Sequence, residues 1–137
     1  MRKSVFLAII ATLSMLIVLM MFIWFVRISV NFDSLEEQSI ETPDLSGFPD
    51  GTYRGFYEVF PLSVTVDIVI MDEDIKSIEI FNHSLFFDMQ VEEVFDGIIL
   101  NQHLDLEISE DYKYSELIFL LAIMDAIAID HIIEETT

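Results

Sequence analysis

Three hydrophobic rhythms follow one another along this chain. From Ser4 to Val26, 23 residues pass without a charge or a proline. As a helix they would span roughly 34 Å, enough for a bilayer hydrocarbon core of about 30 Å. Trp24 lies near the end of this stretch, where interfacial aromatics belong. A membrane span over 4–26 is therefore expected. The rhythm then shortens to two. Val64, Val66, Ile68 and Ile70 alternate with Ser63, Thr65, Asp67 and Val69, which predicts a half-buried strand over Ser63–Met71. GTYRGFYEVF at Gly51–Phe60 is aromatic-rich and suits a preceding strand, ended by Pro61. Asp72-Glu73-Asp74 reads as a polar turn. Ile75–Phe81 reads as a third strand, with Ile78 and Ile80 on one face and Ser77 and Glu79 on the other. Short connections between neighbouring strands favour an antiparallel meander.

The last rhythm is helical. Val91, Val94, Phe95 and Ile98 fall at i, i+3, i+4 and i+7, one face of a helix that Gly97 weakens. Asn101–Tyr114 is polar and expected to be irregular. Ser115–Glu135 predicts a second helix with the apolar centre LIFLLAIM at Leu117–Met124. A second membrane span is the weaker reading of this segment. Asp125 and Asp130 interrupt it, each at a cost of about 2.5–3.5 kcal/mol near a bilayer centre. The expected fold is α+β: a transmembrane helix, then a small antiparallel sheet whose apolar face the two later helices cover. The expected divisions are a cytoplasmic tail over 1–3, the anchor over 4–26, an acidic linker over 27–49 and a head over 50–137. NFDSLEEQSIETPDLSGFPD at 31–50 holds no persistent period, so it reads as a spacer between membrane and head.

Signal-peptide apolar regions run about 7–15 residues and end at a small-x-small site. This stretch is longer, and Phe22–Asn31 offers no such site, which favours an uncleaved anchor. There is no cysteine to carry a lipid or a disulfide. Arg2 and Lys3 precede the span and only Arg27 directly follows it, so the rule that basic flanks stay inside places the head outside the cytoplasm at the cell membrane.

Charge narrows the partners. All 25 acidic residues lie after Arg27, with Arg54, Lys76 and Lys113 the only lysines or arginines among them, a formal charge of −22. Nucleic acid is excluded as a partner because phosphate binding needs a basic surface. The acidity serves solubility or salt adaptation, or it suits a cation or a basic partner.

Order and spacing of short motifs add a resemblance. DGTYRG at Asp50–Gly55, SVTVDIVIMDEDIKSIEIFNHS at Ser63–Ser84 and IILNQHLDLE at Ile98–Glu107 together resemble the FMN-binding domain family. That family occurs in membrane-tethered, extracytoplasmic redox proteins, and the likeness covers about 80 residues. It implies an FMN-binding-domain-like head, with electron transfer as its role. His83 matches the family's histidine position. Family members carry S-G-A-T-x-[ST] at the start of the last helix, where the threonine takes FMN covalently. Here the matching segment is LDLEISEDYKYSE at Leu104–Glu116. Ser109 and Ser115 align with the flanking hydroxyls, Asp111 or Tyr112 falls where the threonine belongs, and no threonine occurs between Thr65 and Thr136. Covalent attachment is thus not expected. Non-covalent FMN would draw on Ser109, Tyr112, Tyr114, Ser115 and His83, with the tyrosines stacking on the ring. Against it, Glu110 and Asp111 stand where a helix N-terminus would receive the phosphate.

Little other chemistry is legible. His103 and His131 have no metal-ligand spacing to another histidine. Asp72-Glu73-Asp74 lacks the EF-hand pattern. No phosphate-binding glycine loop, dinucleotide fingerprint or nucleophile elbow occurs, and no nucleophile is grouped with a base, so no independent catalysis is expected. Two readings stay open: a membrane-anchored extracytoplasmic domain that binds FMN or transfers electrons, and a flavin-free acidic interaction module within a membrane complex.

Overall fold

A computed structural model describes residues 1–128. It begins with a single helix, α1 (Arg2–Glu36), long and apolar enough over its first part to cross a membrane. The head that follows is a three-stranded antiparallel sheet in the order β1 (Gly51–Val59), β2 (Leu62–Met71) and β3 (Asp74–His83), then α2 (Val91–Asn101) and α3 (Lys113–Ile127). The architecture is α+β with the sheet as a meander, as the alternation of the strands implies.

The strand rhythm maps onto burial. Leu62, Val64, Val66, Ile68 and Ile70 of β2 all turn to one covered face, and the residues between them are half-buried. Ile78 of β3 continues that face while Ser77 and Glu79 look outward. Ile75 is also buried, although it is three residues from Ile78. The register explains this: Val69 pairs with Ser77 but Ile70 pairs with Ile75, so Lys76 is bulged out of the ladder. A second irregularity between Thr65 and Val66 bulges Phe81, leaving its ring exposed. The β2–β3 turn places Asp72 and Glu73 at φ 54° and 63°, the left-handed pair of a type I′ hairpin. Asp50 accepts the Asp72 N–H at 2.9 Å, and Glu73 accepts the Gly47 N–H at 2.6 Å.

α3 lies across β1 and β2, α2 lies against β3, and the C-terminal end of α1 touches α3 and β1. α3 is buried on nearly every side. Ile118, Phe119, Ala122, Ile123 and Ala126 have no exposure, as befits a central helix rather than a second membrane span. Close approach to the sheet is made at Gly55 of β1, over which Ala122 and Ala126 sit. β1 is an edge strand, and Asp125 of α3 accepts its outward-facing Phe56 N–H at 2.9 Å. An aspartate that reads as an interruption in the sequence thus caps the sheet edge. Residues 129–137, with His131 and the expected end of the last helix, lie outside the described residues.

Two features differ from a simple anchor, spacer and head. α1 continues ten residues beyond Val26, and Leu35 near its end is buried against the head. Residues 37–50 also lie along the head. Phe48 packs on Tyr53 at 4.8 Å, Tyr53 donates its hydroxyl to the Pro49 carbonyl at 2.6 Å, and Thr42 accepts the Leu104 N–H at 3.0 Å. The segment lacks a repeating period because it follows the head's surface rather than forming an element of its own.

Candidate functional site

The segment Leu104–Glu116 forms one wall of a cleft of about 510 Å³ between α2 and the start of α3. Ser109 and Tyr112 line it, beside Leu106 and Val94. The polar lining is acidic: Glu93, Glu107, Asp111 and Glu116 all face the cleft, and no lysine or arginine does. Glu116 is the most consequential of these. It stands in the first turn of α3, is 5% exposed, and accepts the Ser109 N–H at 2.8 Å. The positive end of a helix is where an incoming anion would be held. Here a buried carboxylate of the chain itself stands in that first turn, where it accepts the Ser109 N–H and ties down the loop before the helix without capping the N–H groups of α3.

Tyr114, Ser115 and His83 lie outside the lining of the cleft. Ser115 is buried, and its hydroxyl accepts the Asp88 N–H at 3.1 Å, pinning the loop after β3 to α3. Tyr114 lines a second groove of about 440 Å³ with Phe32, Pro61 and Phe86; Tyr112 and Ser115 border this groove as well as or instead of the cleft. The Tyr114 ring stacks on Phe32 of α1 at 4.4 Å with 17° between planes. Its hydroxyl donates to Glu36 at 3.0 Å, and Lys113 pairs with the same carboxylate at 2.8 Å. The ammonium of Lys113, with the hydroxyl of Tyr114, holds the Glu36 carboxyl below the ordinary glutamate range. Glu36 in turn raises Lys113 and Tyr114 above their ordinary values. The stacking partner of Tyr114 is therefore α1.

His83 ends β3 away from the cleft. Its Nδ1 lies 2.9 Å from the Ser84 carbonyl, and its ring is 5.5 Å from Phe87. Asp111 lines both the cleft and the groove, whereas Glu110 lines only the groove. Of the five residues singled out for a flavin, the fold brings Ser109 and Tyr112 together in the cleft and Tyr112, Tyr114 and Ser115 together along the groove, and it leaves His83 outside both linings.

Gln102, part of the motif IILNQHLDLE, closes α2 in the left-handed conformation at φ 55°. Its side chain accepts the Ile75 N–H at 2.8 Å and donates to the Ile75 and Ile99 carbonyls at 2.9 and 2.7 Å. It clamps α2 to β3. Glu116, Glu36 and Phe32 carried no sequence signal as site residues. Glu116 follows Ser115 as one more charge in an acidic run, and Phe32 and Glu36 lie in a stretch that reads as spacer.

The three lysines and arginines of the head are all engaged within the chain. Arg54 meets its cross-strand partner Asp67 in two hydrogen bonds of 2.6 and 2.7 Å and lies 3.7 Å over the Phe81 ring. Lys76 pairs with Asp74 at 2.8 Å, and Lys113 with Glu36. Comparison with protein-family models, with curated proteins and with solved structures finds no match for this chain.

Proposed function

We propose that this chain is a membrane-anchored, flavin-free acidic interaction module. In this reading α1 crosses the cell membrane, the short basic N-terminal flank stays in the cytoplasm, and the head stands outside as part of a membrane complex. The observation that carries it is the buried Glu116 carboxylate in the first turn of α3, in the wall of the cleft along the segment that resembles the flavin-holding motif. Glu93, Glu107 and Asp111 add to the repulsion, and Arg54, Lys76 and Lys113 are each held by a carboxylate elsewhere. A charge of −22 leaves a basic protein surface as the natural counterpart.

Titration of the full chain in micelles with FMN, followed by flavin fluorescence, tests the first half of this reading. No saturable quenching is expected, and stoichiometric binding by the unaltered chain refutes it. The second half is tested by extracting the tagged chain from its own membranes in mild detergent. An assembly that high salt dissociates is expected, because screening weakens exposed charge pairs. Migration as a lone chain at low salt refutes it.

A second reading, non-covalent FMN binding with an electron-transfer role, is supported by one coincidence. The cleft lies along the same segment, Leu104–Glu116, that resembles the flavin-holding motif, with Ser109 and Tyr112 in its wall. If it is correct, removing charge should help: Glu116→Gln with Asp111→Ala should tighten FMN binding.

A further inference from the structure

We propose that one end of the head rests in the interfacial layer of the bilayer that α1 crosses, with Phe60, Leu85 and Phe86 inserted among neutral or zwitterionic headgroups. The inference goes beyond the acidic-module reading and requires only that α1 spans the membrane. It starts from Trp24. This residue lies two positions before the end of the apolar stretch, roughly 3 Å inside its limit at 1.5 Å per residue. The Phe60 ring meets Trp24 edge-on at 5.9 Å, and it shares a hollow with Met20, Ile23 and Arg27. Met20 is roughly 9 Å inside the apolar limit by the same rise. A bilayer placed on that stretch therefore reaches the level of Phe60.

Phe60 belongs to the β1–β2 turn, and the chain after β3 returns to the same end of the sheet. Ser84 donates its backbone N–H to the Ser63 carbonyl at 2.9 Å and accepts the Ser63 N–H on its hydroxyl at 2.9 Å. Phe86 borders the groove that Phe32 of α1 and Pro61 also line. Three large apolar side chains thus lie at this end of the sheet and stay largely exposed among the described residues, with Trp24 against one edge of Phe60: Phe60 is 52% exposed, Leu85 94% and Phe86 66%. Their burial in an interface would be favourable because it removes apolar surface from water. The same end carries Asp88, Glu110 and Asp111 against Arg27 in the Phe60 hollow and Lys113, which Glu36 already pairs, so the balance is acidic and anionic headgroups are disfavoured.

Trp24 is the sole tryptophan, which makes depth measurable. The full chain is placed in phosphatidylcholine nanodiscs whose upper acyl carbons carry bromine, a quencher of tryptophan. In a Trp24→Phe background, Leu85→Trp and Phe86→Trp should emit at shorter wavelength and be quenched several-fold more than Met71→Trp. Met71 is 49% exposed at the far end of β2, roughly 30 Å of strand from Leu62. Water-like, unquenched emission from Leu85→Trp and Phe86→Trp, with Trp24 of the unaltered chain still quenched, overturns the proposal and leaves the span intact. Equal quenching at Met71→Trp overturns it as well, since the head would then have no fixed face toward lipid. An unquenched Trp24 would remove the span and the proposal together. FMN titration does not bear on any of these outcomes.

Discussion

Replacing Gly55 with alanine is the most direct test of how α3 sits on the sheet. A Cβ built at Gly55 would lie 1.8 Å from the Ala122 carbonyl oxygen, 2.6 Å from the Ala126 nitrogen and 2.8 Å from the Ala126 Cβ. Two of those three atoms are backbone, so no side chain can swing aside. Restoring ordinary contact requires α3 to lift from β1 by roughly 1.5 Å, given optimal carbon contacts near 3.5 Å or beyond. That lift opens space around Ile118, Phe119 and Ile123, all without exposure. Overpacking of this kind costs about 1–3 kcal/mol, and the gap it opens adds to that. Alanine would otherwise help a strand by about 0.5–1 kcal/mol relative to glycine. The net expectation is a loss of about 2–3 kcal/mol. Gly51→Ala is the matched control. Its Cβ would meet only the Tyr53 ring, at 3.6–3.7 Å, which is ordinary contact, so that variant should be neutral or slightly more stable. The assay is urea unfolding of the head in the full chain held in micelles, followed by near-ultraviolet circular dichroism. If Gly55→Ala falls within about 0.5 kcal/mol of the unaltered chain, α3 does not rest on β1 as described.

Other consequences can be checked in the same system. Leu35→Ala should destabilise the packing of α1 on the head by about 2–5 kcal/mol, seen as faster proteolysis between 27 and 50, because Leu35 is 1% exposed. Glu36 has a lowered carboxyl, so its contribution is complete above the ordinary glutamate value and disappears as pH falls through the lower folded value. Acidification across that window should loosen α1 from the head, and Glu36→Gln should flatten the dependence; an unchanged pH profile in Glu36→Gln would rule out this linkage. Gln102→Ala should cost about 1–3 kcal/mol in urea unfolding, because the half-buried Ile75 N–H and carbonyl lose their partner.

Whatever depends on local period and on total charge could be read along the chain without its fold. An uninterrupted apolar run has the length of a bilayer whatever follows it. Alternation at Val64–Ile70 compels a one-faced strand, and Val91, Val94, Phe95 and Ile98 compel a one-faced helix. The excess of carboxylates after Arg27 is likewise independent of folding. The turn at Asp72–Glu73 was legible because polar residues between two apolar strands leave the chain little else to do. Bulges were not legible: Ile75 and Ile78 break the two-residue rhythm, and only the pairing with Ile70 and Ile68 shows that both face inward.

Tertiary structure alone decided how the parts are joined. Residues 27–36 carry only a short helical face, Ile28, Phe32 and Leu35 at i, i+4 and i+7, among mixed charges; Phe32 and Glu36 meet Tyr114 there and Leu35 joins the core. Such partners lie nearly eighty residues away in the chain, beyond the reach of any local pattern. The candidate site divided for the same reason. Ser109, Tyr112, Tyr114 and Ser115 are near neighbours in sequence, but Ser109 and Tyr112 precede α3, and the successive side chains of Tyr114 and Ser115 in its first turn point around its axis in different directions. Ser109 and Tyr112 reach the cleft, Ser115 turns to the loop after β3, and Tyr114 turns to α1.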